Sequence, residues 1–194
     1  MTSNPAIAYP PIEYPDRLED WDGFQIERVS DVCVEQSLID AWLEAMRDGN
    51  PLYWNEAVAK EICGGIIAPT PATLTFASIY RWSPRRPHQI WDVHGLETAG
   101  MQTPLRLPME PHFALKEFTG LKEGIVGGID AEFYEPMRLG DRLTIASSIV
   151  DIGALRTNKL GTGRNWTAVA RYSNQRGQLI SIERYKFYCY NREA

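Results

Sequence analysis

Imidazole, thiol, carboxylate and cationic side chains are where chemistry would start in this chain, and each type is unevenly placed. The three histidines, His88, His94 and His112, all fall in one proline-rich stretch. None stands near a recognisable motif, so a surface or packing role is the simpler expectation for each. The cysteines, Cys33, Cys63 and Cys189, form no C-x-x-C pair. Buried thiols fit them better than a disulfide framework or a thiolate metal site. Asp48 is followed by Gly49, Asn50 and Pro51. Taken alone it reads as a helix-ending acid, because acid–base catalysis needs a paired base. Between residues 152 and 182 there is no acid, yet Arg156, Lys159, Arg164, Arg171 and Arg176 are present. That run suits phosphate contacts, with a solvated pair of hairpin turns as the plainer alternative.

The elements that must position these groups change character along the chain. Residues 1–22 hold four prolines and many acids and read as an extended leader. Residues 23–34 fit a short strand and a turn. Leu38, Ile39, Trp42, Leu43 and Met46 recur at helical spacing and predict an amphipathic helix over Gln36–Met46. The Gly49 and Pro51 pair is expected to stop it. Asn55 then reads as the N-cap of a second short helix, and Gly64-Gly65 breaks that one. Residues 72–82 have few charges and predict a buried helix, with Pro71 tolerated in its first turn. Residues 83–122 carry five prolines and no period, which predicts an excursion bordering a cleft. Trp54, Trp82 and Trp91 read as core packing residues or, alternatively, pocket lining.

Period-two spacing takes over in the last third. It runs through Ile129, Ala131 and Phe133, then Leu143, Ile145, Ser147 and Ile149. It resumes through Trp166, Ala168, Ala170 and Tyr172, and then Tyr185, Phe187 and Cys189. Gly161-Thr162-Gly163 and Asn174-Gln175-Arg176-Gly177 read as turns between these runs. Helices first and an antiparallel meander after them is the α+β pattern. The chain has 194 residues, 44% hydrophobic, with a formal net charge of -5. That composition fits one globular domain and argues against a chain built to neutralise nucleic-acid phosphates. The uncharged stretch 62–80 contains two Gly and two Pro and suits a core helix better than a membrane span. No basic start followed by an apolar run is visible, so a cytoplasmic location is expected.

Four segments together carry a family resemblance. Asp48-Gly49-Asn50-Pro51-Leu52-Tyr53-Trp54-Asn55 resembles the D-x-N-P-x-H-x-D signature of MaoC-like hydratases. Gly65-Ile66-Ile67-Ala68-Pro69-Thr70 resembles their G-x-I-A-H-G helix entry. Pro136-Met137-Arg138-Leu139-Gly140-Asp141-Arg142-Leu143 resembles P-V-x-x-G-D-x-L, and Asn174-Gln175-Arg176-Gly177 resembles the N-Q-x-G turn. They occur in the family's order. The nearest likeness is to the N-terminal, fatty-acid-synthase-I-like dehydratase halves, in which Tyr often stands in the His position.

The resemblance implies a hotdog fold over residues 23–190: a curved antiparallel sheet wrapped around a long central helix. It implies reversible hydration of an enoyl-CoA thioester, with coenzyme A present only as part of the substrate and no separate cofactor. It also implies pairing of two hotdogs, with this chain meeting either a second subunit bearing an intact D-x-N-P-x-H or another copy of itself. Asp48 falls on the catalytic Asp and Tyr53 on the catalytic His. Asn50, Pro51, Ile67, Ala68, Pro69 and Thr70 fall beside the acyl-CoA site, and Arg156, Lys159 and Arg164 are candidate contacts for the coenzyme A phosphates. A phenol with pKa near 10 is a poor base at neutral pH. Pro69 and Pro71 remove N–H donors where the family polarises the thioester. The expectation is therefore a subunit that shapes the acyl site while a partner supplies Asp and His. A self-sufficient homodimeric hydratase, a non-enzymatic acyl-CoA-binding module and a hotdog thioesterase are the alternatives.

Overall fold

The computed structural model describes residues 12–77 and 109–192. The expected helix over 72–82 lies partly outside these residues, and His88, His94, Trp82 and Trp91 lie wholly outside them. Among the described residues six strands form one antiparallel sheet: β1 (Gln25–Cys33), β2 (Glu123–Phe133), β3 (Arg142–Val150), β4 (Arg156–Asn158), β5 (Gly161–Asn174) and β6 (Leu179–Asn191). Their order is β1-β3-β5-β6-β2, with β4 pairing β5. The period-two runs fix the register. Leu143, Ile145, Ser147 and Ile149 of β3 face inward, as do Trp166, Ala168, Ala170 and Tyr172 of β5 and Tyr185, Phe187 and Cys189 of β6. The described residues also form four α-helices: α1 (Gln36–Met46), α2 (Glu56–Cys63), α3 (Thr73–Phe76) and α4 (Glu110–Phe118). Ile39, Phe76 and Leu115 send fully buried side chains into one common core.

Several boundaries differ from the sequence reading. The leader does not stay extended to residue 22: Leu18–Trp21 forms a 3-10 turn, and Trp21 is in the core with Tyr14 stacked on it at 5.7 Å. Helix α1 keeps its expected bounds, but its C-cap is Arg47, two residues ahead of Gly49. Arg47 takes left-handed φ 54 and its N–H donates to the carbonyls of Glu44 and Leu43. Gly161 and Gly163 belong to a strand, and the turn lies just before them. A β-carbon at either would collide with the β6 backbone, at Asn191 and Cys189 respectively, so glycine marks a close approach there. The proline-rich excursion contains α4 within its last third, and β2 begins at Glu123 rather than near 127.

Strand β2 is the other departure. The spacing of Ile129, Ala131 and Phe133 predicts one buried face, yet all three are exposed, Ile129 at 58%. The strand is at the sheet's end, and among the described residues it pairs only with β6, so one of its edges is without a ladder partner there. Helix α2 follows expectation. Asn55 Oδ1 accepts from the Val58 N–H at 3.2 Å and Gly64 closes the helix at φ 79. Asn55→Ala should lower stability by about 1 kcal/mol, read as a shift in the urea midpoint with unchanged slope.

Candidate functional site

The expected acyl-site residues gather at the end of the sheet where β3 begins and β5 ends. Asp48 is half-buried, and its Oδ1 accepts the Asn50 N–H at 3.0 Å. Asn50 Oδ1 in turn accepts the Leu52 N–H at 3.1 Å, capping a 3-10 turn over Pro51–Tyr53. Tyr53 is half-buried against the core, and its carbonyl accepts from Gln36 Nε2 at 3.0 Å. Among the described residues no histidine hydrogen-bonds to this turn. The polar side chains here serve as turn caps, which is a structural use of Asp and Asn. Trp54 is not a core residue: it is 55% exposed, with its indole N–H donated to the Gly49 carbonyl at 3.3 Å.

The 65–70 segment is tied to this turn from two sides. The Ile67 N–H donates to the Leu52 carbonyl at 3.3 Å and the Ala68 N–H to the Met137 carbonyl at 2.8 Å. Ile67 also bridges Arg138, whose guanidinium donates to the Cys63 carbonyl at 2.7 Å. Downstream, the Ala72 N–H donates to the Pro69 carbonyl at 3.0 Å and the Thr73 N–H to the Thr70 carbonyl. Pro69 and Pro71 carry no N–H. From 67 to 73, Thr70 is thus the residue whose N–H has no acceptor among the described residues. The helix entry offers far fewer free donors than an unbroken helix start would.

Arg156, Lys159 and Arg164 are brought together on the β4–β5 hairpin, but at the opposite end of the sheet. The Arg156 guanidinium is 5.5 Å from the centroid of the Tyr188 ring. Arg164 donates to the Gly153 carbonyl at 3.2 Å, and Lys159 is exposed in the turn. Strand β5 runs from this hairpin to Asn174, which pairs with Leu143 beside the 136–141 loop. At roughly 3.3 Å per residue, the two groups of candidates are about 30 Å apart. One chain does not place them in a single pocket.

Two buried polar arrangements emerge, one joining two of the quoted segments and one, at Glu183, not anticipated from sequence. Asp141 is fully buried; its Oδ2 accepts the Arg138 N–H at 2.9 Å and its Oδ1 accepts from Arg176 at 2.7 Å. It therefore fixes the loop that holds Ala68. Glu183 is buried on β6 and accepts from the phenols of Tyr172 and Tyr185. The signal for Glu183 was present, since an acid sits at an inward position of a period-two run. His112 proves to be a packing residue. It is 4% exposed, stacks on Phe187 at 3.6 Å between ring centroids, and accepts the Trp166 indole N–H at Nδ1 over 3.0 Å. Burial, with a smaller push from Lys116, lowers its pKa to about 4.

Comparison with known proteins follows from this architecture. Residues 20–183 match the family described as FAS1-like, dehydratase domain region. The chain belongs to that family. It is similar to a probable enoyl-CoA hydratase alpha subunit of Thermomonospora curvata, 26% identical over 176 residues, covering 90% of this chain and 51% of the relative. The chain thus spans about half the length of that curated relative. Among solved structures, the ChsH1-ChsH2 complex of Mycobacterium tuberculosis aligns with TM-score 0.66 at 18% identity, over 87% of this chain and 85% of the other. A MaoC-like dehydratase of Rhodospirillum rubrum aligns with TM-score 0.58 at 18% identity, over 91% and 98%. The fold is the MaoC-like hotdog. Among the described residues no helix is long and apolar enough to cross a membrane.

Proposed function

We propose that this chain is the subunit of an enoyl-CoA hydratase that shapes the acyl-CoA site, while a second hotdog with an intact D-x-N-P-x-H supplies the catalytic Asp and His. The observation that carries this reading is Tyr53 in the His position, beside an Asp48 whose carboxyl caps a turn. Hydration needs a group near neutrality to move the water proton, and a phenol is a poor one. Membership of a dehydratase family and the relative named as an alpha subunit support the reading. In it, Asn50, Pro51 and residues 67–70 border the acyl chain. Arg156, Lys159 and Arg164 meet phosphates, across the sheet or across the pair. The substrate is the thioester, with no separate cofactor, and the location is the cytoplasm.

Pairing is supported by β2, an unpaired strand edge bearing exposed Ile125, Val126, Ile129 and Phe133. Such an edge invites a second chain. Light scattering of the chain with any co-encoded hotdog should give a dimer or larger. Ile129→Lys should shift the mass toward monomer, because the side chain is 58% exposed and the fold can tolerate the change. A stable monomer in the presence of that partner would sink the reading.

A further inference from the structure

Two loops, 136–142 and 174–178, meet in a charged clamp beside the 65–70 segment. Residues 138–141 form a tight turn: the Asp141 N–H donates to the Arg138 carbonyl at 3.0 Å, and Asp141 Oδ2 accepts the Arg138 N–H at 2.9 Å. The 174–178 turn grips this loop at three points. Gln175 Nε2 donates to the Gly140 carbonyl at 3.3 Å, and Gln175 Oε1 accepts the Arg142 N–H at 2.8 Å. Arg176 Nη2 donates to Asp141 Oδ1 at 2.7 Å. Gln178 Oε1 accepts from Arg176 Nε at 2.8 Å and so aims the guanidinium at the acid. The Asp141 side chain is fully buried, whereas that of Arg176 is 51% exposed.

The gripped loop in turn holds the segment expected to border the acyl chain. One peptide unit does both jobs. The N–H between Met137 and Arg138 points to Asp141, and the carbonyl of the same unit accepts the Ala68 N–H at 2.8 Å. A peptide is planar, so fixing its N–H fixes its carbonyl. Ile67 bridges Arg138, and the Arg138 guanidinium donates to the Cys63 carbonyl just ahead of the segment. Ala68 is fully buried, so its place follows that of the carbonyl that holds it. A buried acid paired with one arginine adds little net stability, because desolvation offsets the attraction, and its better-attested use is to fix a geometry. Here the fixed geometry is that of the 137–138 peptide.

We propose that Arg176, acting through Asp141, is a positioning residue for the acyl part of the ligand: an exposed turn that touches no ligand sets the backbone of Ile67 and Ala68. This inference rests on the acyl-CoA reading.

Isothermal titration of the full chain, with any hotdog that co-purifies, tests it with decanoyl-CoA and free coenzyme A as the two probes. Arg176→Gln should weaken decanoyl-CoA about tenfold, within the range given by residues that act through a contiguous network, and leave free coenzyme A unchanged. General damage to the fold lowers both affinities together. Arg176→Lys should keep most of the affinity, since a single donor meets Oδ1. Asp141→Asn added to Arg176→Gln should recover most of the loss, because the buried charge is gone while an amide oxygen still accepts the Arg138 N–H; the cycle isolates the pair. Gln175→Ala, which removes two neutral contacts from the same loop, should weaken decanoyl-CoA in the same sense and keeps the test decisive if Arg176→Gln fails to fold. Unchanged decanoyl-CoA affinity in folded Arg176→Gln, or an equal loss for both probes, overturns the positioning role. A parent protein that binds decanoyl-CoA no better than free coenzyme A counts instead against the acyl-CoA reading.

Discussion

The isolated chain is expected to hydrate crotonyl-CoA or longer enoyl-CoA thioesters no faster than a blank. Each positioned acid or base typically contributes about 10²- to 10⁴-fold in rate. Here the base position holds Tyr53, and Asp48 Oδ1 is engaged with the Asn50 N–H. The helix entry has turned the Ala72 and Thr73 N–H groups onto its own carbonyls, so little remains to stabilise the enolate oxygen. Adding the partner hotdog should restore turnover. In that complex Asp48→Asn should change kcat only slightly, since an amide oxygen still accepts the Asn50 N–H, whereas the matching Asp of the partner should be indispensable. The outcome that sinks this is ordinary turnover by the chain alone, abolished by Asp48→Asn or Tyr53→Phe. The chain would then be a self-sufficient hydratase.

Acidification should unfold the protein through His112. Its pKa falls from an ordinary 6.5 to about 4 because burial disfavours the charged ring. Between these values the unfolded chain binds the extra proton and the folded chain does not. Stability therefore rises with pH across that window, is fully present above about 6.5, and is lost as pH falls toward 4. The gap is worth about 3 kcal/mol, a large share of a typical domain's stability. Protonation would also end acceptance of the Trp166 indole N–H at Nδ1 and place a charge against Phe187 and near Lys116. His112→Asn keeps an acceptor without a titrating ring. Urea melts from pH 7.5 to 4.5 should show a shallower loss for the variant than for the parent. Parallel curves would show that other groups set the acid limb.

Much of the fold follows from local pattern. Leu38, Ile39, Trp42, Leu43 and Met46 specify α1 at the bounds observed. The inward rows of β3, β5 and β6 follow from period-two spacing alone. Side chains alternate or recur with fixed geometry, so one buried face writes its period into the chain. The helix caps Asn55 and Gly64 were legible for a similar reason, since their side-chain or backbone requirement is met within a few residues. That Tyr53 stands where the resemblance implies a His was likewise legible, because a motif position is a matter of chain order.

Other features depend on what lies across the fold. Ile129, Ala131 and Phe133 have the spacing of a core face, yet topology puts β2 at the edge of the sheet and all three are exposed. Gly161 and Gly163 read as a turn until the β6 backbone is seen to run against them. Trp21 belongs to the presumed leader by composition and to the core by its contacts. His112 reads as one more residue of a proline-rich stretch, but Trp166 and Phe187, over fifty residues away in sequence, bury and neutralise it. The separation of Asp48 from Arg156, Lys159 and Arg164 along β5 is of the same kind. The sequence by itself determined the α+β order and the helix caps. Only the tertiary structure decided which faces are covered, where Glu183 and His112 lie, and which candidates share an end of the sheet, because burial and pairing between distant strands are properties of the assembled sheet and not of any stretch of chain.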